Sequence, residues 1–438
     1  MFGPAIPQRW RLKAYCATAL LTFAFGTVTQ AQARDACCTA ATQAAASYNY
    51  ILGTQAFGGN HNFAKDTTLL DQAREIRALG SNVLKISLGK RQAGKYGFGD
   101  AAARARTELD YVKAARGLQQ TLDLDFKYYQ FWVQTFTDAD WHHGVSKADA
   151  KLYYNEVYDL TAWLLKRYTG TGKVFLLGNW EGDWMLNGGQ GKDVQPTPEA
   201  VKGMIDWLNI RQKAIDDAKA ATPHDGVEVY HYVEVNLVKR ALEGKPSVAL
   251  SVLPATNVDL VSYSSYEAIK QSPTPDIGSI RQPLTQLVRY LEGQLKPKPG
   301  LPFNHRVFIG EYGYHANGSM PLTVEQQYLK SRYVMQIAIE LDLPFALIWQ
   351  FYNNEYAPNG TSHEMSLVDE TGEKRALYYL LQQYLKTMTA FVADGIRQSG
   401  AVPARDAFRA KALEVLATFS FEKMQRMANT ERKAAATE

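Results

Sequence analysis

Two acidic residues in this 438-residue chain stand where apolar runs stop. From Lys173 to Trp184 (KVFLLGNWEGDW), an apolar run leads directly into Asn179, Trp180, Glu181, Asp183 and Trp184. From Val307 to Gly313 (VFIGEYG), a second run ends in Glu311, with Gly310 and Gly313 around it. Two carboxylates facing each other across a cleft walled by Trp and Tyr suit the breaking of glycosidic bonds. One, protonated, donates to the leaving oxygen, and the other, ionised, attacks the sugar carbon. A carboxyl separation of about 5–5.5 Å gives retention through a covalent intermediate, and about 6.5–9.5 Å leaves room for water and gives inversion. Asp183 reads as a structural carboxylate or as a group that tunes Glu181.

For the two acids to meet, the elements between them must bring distant strand ends together. From residue 48 onward, short β-branched and aromatic runs alternate with amphipathic stretches. Strands are expected at Tyr50–Phe57, Asn82–Leu88, Asp125–Phe136, Lys173–Leu177, Val227–Asn236, Val258–Ser262, from Val307, and at Phe345–Gln350. Helices are expected at Thr68–Leu79, Ala101–Leu118, Lys151–Tyr168, Pro198–Ala221, Leu284–Leu295 and Val324–Leu341. Eight βα units predict an α/β fold, a closed (β/α)8 TIM barrel, whose functional residues gather at the C-terminal ends of the strands. An open doubly wound sheet is the runner-up. It calls for a glycine-rich phosphate loop after the first strand, and Gly58-Gly59-Asn60 is not one. Glu181 would then end the fourth strand and Glu311 the seventh, on opposite sides of the barrel mouth.

The N-terminus reads separately. Arg9, Arg11 and Lys13 precede an apolar stretch from Ala14 to Phe25, and Ala31-Gln32-Ala33 follows. This pattern predicts a secretory signal peptide over 1–33, cleaved after Ala33. The apolar run is too short to span a bilayer, so stable membrane insertion after cleavage is not expected. The leader holds three basic residues and no acidic one, and its removal brings the net charge from +4 to +1. With that charge spread along the chain, nucleic-acid binding is not expected. The protein is expected to be exported, periplasmic or secreted. Residues 34–47 form a leader to the barrel (48–390), and 391–438 form a helical extension, with a helix over Ala407–Met427. Cys37 and Cys38 in the leader are open to a vicinal disulfide, to pairing with another chain, or to no role. The oligomeric state is not fixed by the sequence.

With these residues in view, the chain resembles the large clan of (β/α)8-barrel retaining glycoside hydrolases, whose acid/base lies on strand four and nucleophile on strand seven. Gly310-Glu311-Tyr312-Gly313 is similar to the clan's nucleophile strand. Ala346 to Tyr352 (ALIWQFY) resembles its eighth strand, whose Trp floors the subsite at the cleaved bond, and Ser366 to Gly372 resembles the segment that follows. The resemblance implies Glu311 as nucleophile, Glu181 as acid/base, and Tyr263 or Tyr266 as the tyrosine that orients the nucleophile. One departure stands out. The clan places Asn directly before its acid/base, whereas here the order is Asn179-Trp180-Glu181. Either Asn179 reaches that place through a bulge, or Trp180 occupies it.

Aromatics are 12% of the chain, and sugar C–H faces stack on aromatic rings. Trp132, Trp180, Trp184, Tyr263, Tyr266 and Trp349 fall near strand ends and are candidate binding residues. Glu234 and Asn236, ending strand five, are candidates for a neighbouring subsite. Lys85, within strand two, points into the barrel or serves a buried ion pair. His142-His143 lacks a third ligand, so neither a metal nor any other cofactor is expected. The expected partner is a carbohydrate substrate. Two rivals to a hydrolase are a non-catalytic glycan-binding barrel and an envelope assembly protein that uses the helical tail.

Overall fold

A computed structural model describes residues 39, 41–59, 63, 65–137, 139–269, 276–316 and 322–435. The expected signal peptide and the Cys37-Cys38 pair lie outside the described residues. Eight parallel strands carry the fold: β1 (Leu52–Thr54), β2 (Val83–Leu88), β3 (Tyr128–Val133), β4 (Val174–Gly178), β5 (Glu228–Val235), β6 (Leu260–Ser264), β7 (Val307–Tyr312) and β8 (Ala346–Ile348). They pair in the order β1-β8-β7-β6-β5-β4-β3-β2. The ring is closed by a bridge between Gln55 and Lys85, where the Ala56 N–H donates to the Lys85 carbonyl at 2.9 Å. This is a (β/α)8 barrel.

The strands read as apolar runs because both of their faces are buried. One face points inward: Val83, Tyr128, Trp132, Leu176, Tyr232, Phe308, Leu347 and Trp349 belong to one packed cluster inside the barrel. The alternate residues, among them Leu84, Ile86, Phe131, Leu177, Val233 and Val261, pack outward against the helices. The period of two therefore decides which polar residues enter the barrel. It sends Lys85, Gln130, Glu234 and Ser262 inward, all fully buried.

The principal helices are α1 (Thr68–Ala78), α2 (Arg116–Asp123), α3 (Lys147–Arg167), α4 (Pro198–Ala221), α5 (Ile277–Gln294) and α6 (Val324–Glu340). Their starts are written in the sequence. Thr67 caps α1, Ser146 caps α3, Thr197 precedes the first-turn proline of α4, and Thr323 with Gln326 forms a capping box on α6. Two helices depart from expectation. The stretch read as one helix from Ala101 to Leu118 is three pieces, because Thr107 caps a new start and Ala115 leaves helical geometry. Helix α5 begins seven residues before Leu284. Asp276 caps it, accepting from the Gly278 and Ser279 N–H groups, and Pro283 is carried inside.

Beyond β8 come α7 (Ala376–Ser399), α8 (Arg405–Ala417) and α9 (Phe421–Ala435). The single tail helix expected over Ala407–Met427 is thus broken. At the break, the Phe419 carbonyl accepts from Tyr328 (2.9 Å) and Arg332 (3.1 Å) of α6. The tail is stitched to the start of the barrel: Tyr384 donates to the Tyr50 carbonyl at 2.9 Å, and Arg405 to that of Asn49 at 2.7 Å. Among the described residues, no helix is long and apolar enough to cross a membrane.

Candidate active site

At the C-terminal mouth lies a cleft of about 550 Å³. Glu181 and Glu311 both line it, with Trp132, Trp180, Trp184, Asn236, Tyr266 and Trp349. Its floor is aromatic: Phe57 lies 4.1 Å from Trp132 and 5.1 Å from Trp349, ring centre to ring centre. Trp180 is the most open of these rings, 41% exposed at the rim.

Glu311 owes its position to a bulge. Tyr263 pairs with Ile309, but Ser264 pairs with Glu311, so Gly310 is the extra residue. A bulge re-aims the next side chain, and here it turns Glu311 inward. Gly310 is required sterically: a Cβ there would lie 1.7 Å from Ser262 Oγ. Lys85 Nζ donates to Glu311 Oε1 at 3.2 Å, and the Tyr266 hydroxyl donates to Oε2 at 3.2 Å. Tyr263, by contrast, belongs to the outer core, and its hydroxyl donates to Glu267 at 3.1 Å. Of the two tyrosines weighed from the sequence, Tyr266 is the one against Glu311.

Glu181 leads into a one-turn helix, Gly182–Leu186. Asp183 anchors that turn. Its Oδ2 accepts the Asn236 and Leu237 N–H groups at 3.0 Å each, and its Oδ1 accepts that of Val248 at 2.8 Å. Arg211 on α4 donates to the Gly178 carbonyl at 3.0 Å and to that of Val133 at 3.4 Å, tying the ends of β4 and β3. Asn179 is 1% exposed and turned from the cleft; its side chain donates to the Trp180 carbonyl at 2.8 Å.

Glu234 does not reach the cleft. It is fully buried beneath it, where Oε2 accepts from Lys85 (2.8 Å), Ser262 (2.8 Å) and Trp132 Nε1 (3.1 Å), and Oε1 from Ser264 (3.1 Å). Lys85 both points into the barrel and makes a buried ion pair. Asn236 lines the cleft, but its side-chain oxygen is engaged by the Asp183 N–H at 3.2 Å. His142 bridges Asp140 (2.5 Å) and the Met185 carbonyl (2.7 Å), and so braces the Glu181 turn.

Both cleft carboxyls are held above the usual carboxylate range. For Glu181 the causes are burial first, then the charges of Glu311 and Glu234, opposed by Lys85. For Glu311, burial is opposed chiefly by Lys85, with Glu234 raising and the Lys85 and Tyr266 hydrogen bonds lowering. Two direct donors favour the ionised form of Glu311. Glu181 sits among anions instead. The two carboxyls therefore titrate as one coupled pair in unequal surroundings.

Reading from sequence missed Glu355. It lines the cleft from the loop after β8, and its Oε1 accepts the Trp349 indole N–H at 3.2 Å. Its backbone is clamped by Asn353, which accepts from the Glu355 N–H at 3.2 Å and donates to its carbonyl at 3.3 Å. The signal available was position alone: in such barrels, loops that follow strands face the mouth. His315, Lys192 and Met365 line the cleft by the same rule.

No protein-family model and no curated protein matches the sequence. Solved structures do share the fold. A GH5_18 protein from Bifidobacterium longum subsp. longum, solved with Manb1-4GlcNAc, is 14% identical over 73% of this chain and 72% of its own, with a TM-score of 0.50. A Bacteroidetes-affiliated GH5 cellulase is 15% identical over 89% of this chain and 97% of its own, at 0.45. Bacteroides uniformis beta-glucuronidase 2 is 10% identical over 78% of this chain, at 0.47; the match spans 35% of that longer protein. At these identities the likeness is one of fold.

Proposed function

We propose that this chain is an exported glycoside hydrolase that works with retention of configuration, Glu181 serving as acid/base and Glu311 as nucleophile. The observation that carries the reading is that Glu181 and Glu311 line one aromatic-floored cleft, close enough for the charge of Glu311 to raise the proton affinity of Glu181. The fold shared with a GH5_18 protein solved with Manb1-4GlcNAc supports it. The leader-like pattern at the N-terminus is the ground for export.

The chemistry follows from the unequal surroundings of the two acids. A sugar ring stacks on Trp349 with its glycosidic oxygen toward Glu181. The Glu181 carboxyl donates its proton to that oxygen as the bond to the anomeric carbon breaks. A Glu311 carboxylate oxygen forms the new bond to that carbon, giving a glycosyl ester and a free alcohol. Glu181, now ionised, takes a proton from water, whose oxygen attacks the anomeric carbon and releases Glu311 as carboxylate. Lys85 and Tyr266 hold the Glu311 oxygens in place through both steps.

The test is to replace each acid by its amide. Glu181→Gln and Glu311→Gln should stay folded and lose at least about a thousandfold in kcat/KM on a cleavable glycoside. A fluorinated glycosyl inhibitor should label Glu311, and hydrolysis followed by NMR should yield product of the substrate's anomeric configuration. Full activity in either variant removes the assignment. Glycan binding without hydrolysis or labelling returns the chain to a binding barrel.

A further inference from the structure

Glu234 lies behind the residues that line the cleft, yet it holds the cation on which Glu311 depends. Lys85 is fully buried, lies 4.5 Å from the centre of the Trp132 ring, and directs its ammonium to three oxygens. These are Glu234 Oε2 at 2.8 Å, the Gly310 carbonyl at 3.1 Å and Glu311 Oε1 at 3.2 Å. The cation thus sits nearer Glu234. Glu234 accepts four hydrogen bonds, two of them from Ser262 and Ser264, whereas the Glu311 carboxylate has Lys85 and Tyr266. Lys85 is one of the four donors to Glu234 and one of the two to Glu311. Two carboxylates then compete for one ammonium.

We propose that Glu234 is a positioning residue: from beneath the cleft it draws Lys85 away from Glu311, so that a carboxylate no substrate touches sets the proton balance of the Glu181–Glu311 pair. The serines are part of the device. Ser262 and Ser264 spread the Glu234 charge, and the missing side chain at Gly310 gives Ser262 its space. Every charged or titratable group facing Glu311 enters the balance. Lys85 comes from β2, Glu181 from the turn after β4, Glu234 and Tyr232 from β5, and Tyr266 from the turn after β6. Lys192 after β4, Glu267 after β6, and His315 and Glu355 after β7 and β8 line the same cleft. Burial with the charges of Glu234 and Glu311 holds the Tyr232 hydroxyl protonated. Glu234 is the one of these acids set wholly below the cleft, so its replacement removes no contact with substrate.

The inference rests on the assignment of Glu181 and Glu311 to catalysis, but it can be read without substrate. The full chain is labelled with 13C at glutamate carboxyl carbons and titrated by NMR, with Glu311→Gln and Glu181→Gln to identify the two resonances. In Glu234→Gln, Lys85 carries its full charge to Glu311. The Glu311 midpoint should fall by about one pH unit or more, and that of Glu181 should fall with it. Ser262→Ala acts with the opposite sign. With one donor fewer, Glu234 draws Lys85 harder, and the Glu311 midpoint should rise. This serine variant keeps the test alive should Glu234→Gln not fold. Unmoved midpoints in the variants, or shifts of the same sign in both, overturn the proposal. If the titrations move as expected and no glycoside is cleaved, the functional reading fails while the charge balance stands. If hydrolysis is found and the midpoints do not move, the proposal alone falls.

Discussion

Asp183 and Asn236 bind each other's backbone through their side chains: the Asn236 N–H donates to Asp183 Oδ2 at 3.0 Å, and the Asp183 N–H donates to Asn236 Oδ1 at 3.2 Å. This reciprocal clasp joins the turn after β4 to the end of β5. Glu181 is two residues from it, so the clasp fixes where the acid stands.

Asp183→Asn should therefore act on catalysis through geometry. The amide retains one acceptor where the carboxylate offered two oxygens to three N–H groups. Leaving a buried N–H unpaired costs about 1–3 kcal/mol, so urea denaturation should show a loss of that size. On the proposed function, the kcat should fall with little change in KM, because the aromatic floor of the cleft is untouched. A variant that loses stability and keeps its full kcat shows the clasp to be structural only.

Gly310→Ala tests the bulge that aims Glu311. The new Cβ would meet Ser262 Oγ at 1.7 Å and Ser262 Cβ at 3.1 Å. Overpacking of this kind costs about 1–3 kcal/mol. Adding Ser262→Ala removes the closer clash, so the double variant should be more stable than Gly310→Ala alone. Such non-additivity is the mark of direct contact. Simple addition of the two losses in thermal unfolding argues that the strand shifts instead.

A pH dependence of stability should arise away from the cleft. Glu108 and Glu156 are buried together with Arg211 in the layer outside the barrel. Burial, then the charge of Glu156, raises the Glu108 carboxyl well above its ordinary value. Burial lifts Glu156 to about 7, against the pull of Arg211. Acids that bind protons more tightly when folded contribute stability that is complete below the unfolded value, near 4.5, and is lost as pH rises through the folded one. Stability from this pair should thus decline between about pH 4.5 and 7. Glu108→Gln should flatten the decline when denaturation midpoints are compared across that range. An unchanged slope removes the pair as its source.

Much of this site was legible because buried parallel strands are apolar runs, and a carboxylate that ends one is conspicuous. Glu181 and Glu311 were found that way, whereas Glu234, expected from its place at the end of strand five to serve a neighbouring subsite, lies fully buried beneath the cleft. What resisted reading was whatever depended on the third dimension. Tyr263 and Tyr266 are equivalent by spacing. Only the register shift beside Ser264, with the turn that follows, puts Tyr266 on Glu311. Asp183 carries no mark of the three backbone groups it binds, because those lie more than fifty residues away. Glu355 lies in an irregular loop that has no periodicity to read. The start of α5 was missed for a local reason: a proline usually ends a helix, and here the Asp276 cap starts one ahead of it.

The bridge between Gln55 and Lys85 closes the ring and so governs assembly of the site. Lys85 belongs to β2 and Glu311 to β7, and the pairing order sets these strands at nearly opposite ends of the sheet. Unrolled, the ribbon would hold the ammonium and the carboxylate far apart. The 3.2 Å contact between them arises when the sheet curls and its margins meet. On the proposed function, competence is a property of the completed cylinder, and a chain with every helix and strand formed but its seam still parted should be catalytically blank.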